Sequence, residues 1–270
     1  MSILACLYGT GVGLALSMTG GGGVIAVPAL VLGLGYSFRE AAPVAMIAVG
    51  AGASLGLVDG LRRGLVRFRA GGLMGAAGMI CAPLGLRLAE RVSTTLLTGL
   101  FSAALLYTVA RMARQALAAP QTHRAEARPR CGLDPQTGRF VWTPRCVFTF
   151  SAIGGLSGLA SGMLGVGGGF VVTPSLRQVS ELGVHSAVAT SLMVIVMVSA
   201  SAVAGYLGSG GAVAPSAWTF VAAVAVGMIG GRSIAARLPG AVLQLIFAAV
   251  GAAAAIALVG KTVAALLASG

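Results

Sequence analysis

Four consecutive glycines, Gly20 to Gly23, break one long apolar stretch, and Gly167 to Gly169 break another 146 positions later. A proline follows each run at the same distance, Pro28 after the first and Pro174 after the second. The same ungapped offset pairs Ala41 with Ala187, Leu61 with Leu207, Gly64 with Gly210, Gly85 with Gly231, Arg91 with Arg237 and Phe101 with Phe247. A register kept over about 80 residues does not come from composition alone. The chain therefore reads as a duplicated unit whose first apolar segment is broken by glycine in each copy. Successive glycines lift the Cβ restriction and let the backbone leave the helix. At membrane depth such a break is tolerated only where it is packed in protein or lines a cavity. Corresponding breaks in the two halves of a transporter point to its binding site.

The membrane setting follows from charge. Only 9% of the 270 residues are charged, against about 25% in a soluble domain, and 57% are hydrophobic. That leaves too few charges to cover a water-facing surface. The 42 glycines keep no three-residue period, which excludes collagen, and suit the close contacts of transmembrane helices. Four apolar segments are expected in each half, at 3–34, 41–61, 70–88 and 93–112, then at 148–176, 184–208, 213–235 and 240–267. Most match the roughly 20 residues that cross a hydrocarbon core. The first of each half is longer, and reads either as two half-helices or as one bent span. The fold class is an all-α polytopic membrane protein of about eight hydrophobic segments in two pseudo-symmetric repeats. Residues 1–112 form the first repeat, 113–147 a basic linker and 148–270 the second repeat. With no basic residue ahead of the first apolar run, residues 1–35 read as retained membrane structure rather than a cleaved leader.

The net charge of +12 comes from 17 arginines and Lys261. These lie mostly between apolar runs, where they orient the chain, so nucleic acid is not an expected partner. The linker and the Arg62, Arg63, Arg67, Arg69 cluster are placed in the cytoplasm by the positive-inside rule. The loop from Leu207 to Pro215, equivalent to that cluster, carries no charge. Charge counting therefore favours inverted repeats. Inversion requires an odd number of full crossings per half, as a re-entrant hairpin in place of the first segment would give.

The candidate site is built on the breaks. Gly20, Gly21, Gly22 and Gly23, with Gly165, Gly167, Gly168 and Gly169, free backbone groups that a polar substrate can satisfy. A helix starting after such a break offers N–H donors and a partial positive charge, which suit an anion. Ser17 and Thr19 precede the first break and Pro28 follows it. Ser157 and Ser161 precede the second, Thr173 and Pro174 follow it, and Thr190 and Ser191 lie in the next helix. Their hydroxyls bind an oxyanion without adding charge, or serve as helix contacts. Arg39 and His185 share a repeat position and are candidates for attracting an anion or carrying a proton. Asp59 is a further proton candidate, with pairing to Arg62 and Arg63 as the competing explanation. Cys6 and Cys81 read as packing residues, and Cys131 and Cys146 as structural or incidental thiols rather than metal ligands. No cofactor, metal site, nucleotide motif or catalytic constellation is legible.

Three stretches carry a family resemblance. They are the glycine breaks with their prolines (Gly20–Pro28 and Gly165–Pro174), Ala187-Val188-Ala189-Thr190-Ser191, and Gly231-x-x-x-Ala235-x-Arg237-Leu238-Pro239. Together they resemble the TauE/SafE family of membrane transporters, over nearly the whole chain outside the linker. Pro43-Val44-Ala45 stands where the first repeat would carry the family's Ala-Thr-Ser pattern. The resemblance implies an integral protein of the bacterial inner membrane that exports a small anion such as sulfite or sulfoacetate. The expected partners are that anion and the bilayer, with a homo-oligomer left open. The competing readings are an anion channel and a membrane subunit that transports nothing.

Overall fold

The computed structural model describes residues 2–117, 131–132 and 140–235, and residues 249, 251–253, 255–257 and 260 of the last segment. Most of the expected segment 240–267 and much of the linker, with Phe247, Arg237 and Pro239, lie outside the described residues.

Every element among the described residues is helical. Helix α1 (Ser2–Thr19) ends at Gly20, whose φ of 62° is the left-handed turn that only glycine adopts without strain. The chain then enters α2 (Gly22–Gly33), which opens as a 3-10 turn, passes Pro28 and ends as a π-helix. A Cβ at Gly22 would run into the backbone of Leu16, and one at Gly33 would lie 2.5 Å from the ring of Tyr8. Residue numbers rise along α2 as they fall along α1, so the two arms form a hairpin that enters and leaves on one face.

The second repeat does the same. Helix α6 (Pro144–Leu164) starts on the N-cap Thr143, which accepts from the Cys146 N–H, and stops at Gly165 with φ 74°. Helix α7 (Gly169–Val179) turns back. At its far end the Val179 carbonyl accepts from the Cys131 N–H, and Cys131 stands against Cys146 in the first turn of α6, Cα to Cα 5.2 Å, within reach of a disulfide. Each long first segment of the sequence is thus a pair of arms.

Between and beside the hairpins run α3 (Phe38–Arg62), α4 (Phe68–Arg91), α5 (Thr94–Leu117), α8 (Val184–Gly208) and α9 (Ala217–Ala235). Ser37 and Glu40 close a capping box at the start of α3, so Glu40 acts here as a cap. Helix α5 extends to Leu117 and α6 begins at Pro144, so helices occupy both ends of the 113–147 stretch. Among the described residues four helices, α3, α4, α6 and α8, are long and apolar enough to cross a membrane.

Close approaches at glycine fix the directions. Gly60 meets Ala189, Gly56 meets Leu192 and Gly50 meets Ser199, so α3 and α8 run antiparallel. These two helices are equivalent under the 146-residue offset. Equivalent elements that run in opposite directions mean that the repeats are inverted, as the charge count favours. Gly154, Gly158 and Gly162 of α6 lie against Met74, Gly78 and Ala82 of α4, which makes that pair parallel. Gly9 and Gly13 of α1 lie against Phe220, Val224 and Gly227 of α9 in the same sense. Each hairpin therefore packs on a helix of the other repeat. A buried core runs through both, with Leu16, Val49, Leu192, Ile195, Val224 and Met228 nearly or fully sealed.

The directions also sort the loops. The loop carrying Arg62, Arg63, Arg67 and Arg69, the start of α6, the end of α7 with Arg177, and the end of α9 with Arg232 share one face. That basic face also receives both ends of the linker. The start of α3 with Arg39, the end of α4 with Arg87 and Arg91, and the uncharged 209–216 loop lie on the opposite face.

Candidate functional site

The two glycine breaks meet in the centre of the bundle. Val49 of α3 and Ile195 of α8 occupy the same repeat position, and both press on Gly167: a Cβ there would lie 2.9 Å from Val49 Cγ1 and 3.2 Å from Ile195 Cγ2. The pseudo-symmetry axis therefore passes near this glycine. Gly23 and Gly169, equivalent to each other, take equivalent neighbours. A Cβ on Gly23 would lie 3.0 Å from Val49 Cγ1, and one on Gly169 2.5 Å from Ile195 Cδ1.

The breaks do not meet end to end. Gly20 reaches Val188 and Ser191 near the start of α8, whereas Gly165 reaches Ala42 near the start of α3. Each tip has passed the centre from its own side. They slide past one another in backbone contact: a Cβ at Gly169 would strike the Gly20 carbonyl, and one at Gly23 the Val166 carbonyl. Glycine is required here for close approach as well as for φ. Gly165, Gly167 and Gly168 all have φ near 75°.

Hydroxyl groups gather round this crossing. The Thr173 hydroxyl donates to Ser191 Oγ at 2.9 Å. Ser191 donates to the Val188 carbonyl at 2.8 Å and faces the Gly20 carbonyl at 3.4 Å, which links the second repeat to the tip of the first. Ser157 donates to the Gly168 carbonyl at 2.9 Å and Thr19 accepts from the Gly21 N–H at 3.2 Å. Thr190 accepts from the Arg67 N–H at 3.1 Å, tying the α3–α4 loop to α8. Ser17 bonds back to the Leu14 carbonyl and lies against Gly231. The fully buried Ser161 and the 2% exposed Ser199 differ, since neither Oγ has a hydrogen-bond partner.

Ser199 escaped the sequence reading. It faces Gly167, whose Cβ would lie 3.5 Å from the Ser199 Oγ. The offset itself was the missing signal. Ser157, Ser161, Thr173, Thr190, Ser191 and Ser199 stand where the first repeat has Gly11, Ala15, Val27, Val44, Ala45 and Ala53. The polarity of the centre is thus supplied mainly by the second repeat.

The charged candidates lie elsewhere. Arg39 and His185 are exposed, one at the start of α3 and the other at the start of α8, and inversion puts them on opposite faces. Arg39 donates to the Val92 carbonyl at 3.3 Å. Asp59 sits at the basic-face end of α3, paired with Arg63 at 2.9 Å and with Arg232 of α9 at 2.5 Å. The second partner is distant in sequence and differs from the expected Arg62. None of the three reaches the crossing of the breaks. Pro28 is buried within α2, and Pro174 lies inside α7 one residue from Thr173.

A cleft of about 170 Å³ opens toward the face opposite the basic one. Its walls include Pro43 and Met46 of α3 and Ala202 and Tyr206 of α8, with Arg39 among its lining residues. It reaches Gly162 and Met163, within one turn of the second break.

Comparison with known proteins bears on this geometry. The family model described as sulfite exporter TauE/SafE matches residues 5–258. A relative in Xylella fastidiosa (strain 9a5c), named "Probable membrane transporter protein", is 28% identical over 186 residues. That alignment covers 68% of this chain and 66% of the relative, just under two thirds of the relative's length.

Proposed function

This chain belongs to the sulfite exporter TauE/SafE family, and from that premise we propose that it is a secondary transporter that moves a small anion across the bacterial inner membrane. The observation that carries this reading is the crossing of two re-entrant tips between antiparallel, equivalent helices. Tips in backbone contact must part before a solute can pass, which is the behaviour of a transporter rather than of an open pore. Each hairpin is packed on a helix of the other repeat, so the bundle can divide into two bodies that rock about the centre.

The substrate class rests on three supports. Hydroxyls from Ser157, Ser161, Thr173, Ser191 and Ser199 lie about the second break, and those of Ser161 and Ser199, which have no partner in the protein, can donate without adding charge. Helix α7 starts at Gly169 and aims its first-turn N–H groups back toward the break, where the helix dipole favours an anion. The family description names sulfite. Sulfite, sulfoacetate and related organosulfur or carboxylate anions fit this chemistry, with Ser161, Thr190, Ser191 and the glycines of both breaks as the binding set.

The test is flux of labelled sulfite, sulfoacetate, sulfate and short carboxylates in proteoliposomes, together with thermal unfolding of the purified protein. At a hundred times its dissociation constant a ligand adds about 2.7 kcal/mol, enough to raise the unfolding midpoint by several degrees. One of these anions should do so and should show counterflow. A protein that neither binds nor exchanges any of them is not a transporter of this class.

On this reading the basic face is cytoplasmic, by the positive-inside rule. That puts Cys131 and Cys146 on the reducing side, where structural disulfides are rare. Protein denatured directly from cells with thiols trapped, in a background carrying Cys6→Ser and Cys81→Ser, should therefore label at both positions. Complete protection of the pair would reverse the assigned orientation.

A further inference from the structure

The inverted repeat makes a prediction about the cleft that can be checked within the molecule. Its residues have equivalents on the basic face: Ala189 for Pro43, Leu192 for Met46, Gly56 for Ala202 and Gly60 for Tyr206. On the cleft side these residues line an open space. On the basic face they touch. A Cβ on Gly60 would lie 3.1 Å from the Ala189 Cβ, and one on Gly56 2.9 Å from Leu192 Cδ1. The same four positions thus border a cleft at one end of α3 and α8 and lie in close contact at the other.

The closed end also carries a feature that the open end lacks. Asp59 pairs there with Arg63 and Arg232, across α3 and α9. The equivalent of Asp59 is Gly205 and that of Arg232 is Leu86. Gly205 and Leu86 are neighbours too, a Cβ on Gly205 lying 3.8 Å from Leu86 Cδ2, but they carry no charge. The neighbourhood is therefore kept by the pseudo-symmetry, whereas among the described residues the ion pair stands on the basic face alone.

We propose that the cleft beside Arg39, Pro43, Met46 and Tyr206 is the outer access chamber for the transported anion. In this proposal Asp59, held by Arg63 and Arg232, is the latch that keeps the equivalent chamber on the basic face shut. The inference rests on the transporter reading above. The latch loads the equilibrium toward the outward-open state. Breaking it leaves the two ends more nearly equal, because the uncharged Gly205 and Leu86 stand where the basic face has Asp59 and Arg232. Arg39 and Glu90 both line the cleft, so its entrance carries one charge of each sign.

Thiol labelling of the full-length protein in oriented membranes tests this without any substrate. In a background lacking the native cysteines, Ala42→Cys reports on the cleft wall and Val188→Cys on its equivalent, which is 9% exposed. Ala42→Cys should react with an impermeant maleimide from the outer face, and Val188→Cys should be protected from the cytoplasmic face. Asp59→Asn or Arg232→Gln should raise Val188→Cys labelling by about two- to five-fold, the upper part of the range expected for partly exposed ion pairs. Ala42→Cys labelling should fall at the same time. Exchanging all the charges, Asp59→Arg with Arg63→Asp and Arg232→Asp, should restore protection, which separates a latch from general loosening. Equal reactivity at the two positions in the parent, or Val188→Cys labelling unmoved in both single variants, overturns the proposal. Flux is scored separately: asymmetric labelling with no flux of any anion sinks the transporter reading and leaves the gate.

Discussion

Gly168→Ala is expected to reduce flux by more than ten-fold in proteoliposomes while the protein still inserts. Two costs combine at this position. Its φ is 74°, where an L-residue is strained by about 1–2 kcal/mol. A Cβ there would also collide with Ser157, whose hydroxyl holds the Gly168 carbonyl at 2.9 Å. Forcing atoms into a packed site typically costs a further 1–3 kcal/mol or so. Since about 1.4 kcal/mol is a factor of ten, a shift of the break by this much is ample to stop the tips from moving past each other. Gly210→Ala provides the control. Its φ is 84° but nothing lies within 4 Å of the added Cβ, so it carries the strain without the collision, far from the breaks. Flux near the parent level in Gly168→Ala, with Gly210→Ala equally active, would remove the second break from the mechanism.

The second large effect is expected on stability, at the seam between α4 and α6. Gly158→Ala should lower the unfolding midpoint in detergent by about 4–8 °C, the shift that roughly 2 kcal/mol produces in a chain of this size. The sign is the informative part. Inside a helix, alanine is favoured over glycine by about 1 kcal/mol, so propensity alone predicts stabilisation. The seam predicts the reverse, because a Cβ on Gly158 would enter the backbone of Gly78. Helices in lipid have no hydrophobic drive toward one another, and their association depends on such close packing. Gly155→Ala, three residues earlier, meets only Cys81 Sγ at an ordinary 3.4 Å and should be neutral or stabilising. A Gly158→Ala midpoint at or above the parent's would show that the seam does not hold the repeats together.

The seam was partly visible in the sequence. Gly154, Gly158 and Gly162 recur every fourth residue and place small residues along one helix face. Spacing of this kind says that a helix is closely packed but not what it packs against. That the partner is α4, from the other repeat, is set by the inverted arrangement. Asp59 teaches the same lesson. Its neighbours Arg62 and Arg63 in the sequence suggested the ion pair, and Arg63 is one partner. Arg232 is the other, and no local pattern connects it with Asp59. Ser199 looked like one more small residue in an apolar helix. Only its position beside Gly167, and its contrast with Ala53, give it meaning.

By itself the sequence determined the membrane class, the duplication, the places where the helix breaks and the side on which the charges collect. Those features depend on local quantities: the hydropathy of a stretch, the freedom of a glycine, and the cost of an unpaired peptide group in hydrocarbon. Tertiary structure alone decided that the broken segments turn back rather than cross, that their tips pass side by side, and that one end of the bundle is open while the other is pinned. A glycine break permits reversal and continuation alike. Which one occurs is settled by what the returning arm packs against, and that surface comes from helices elsewhere in the chain.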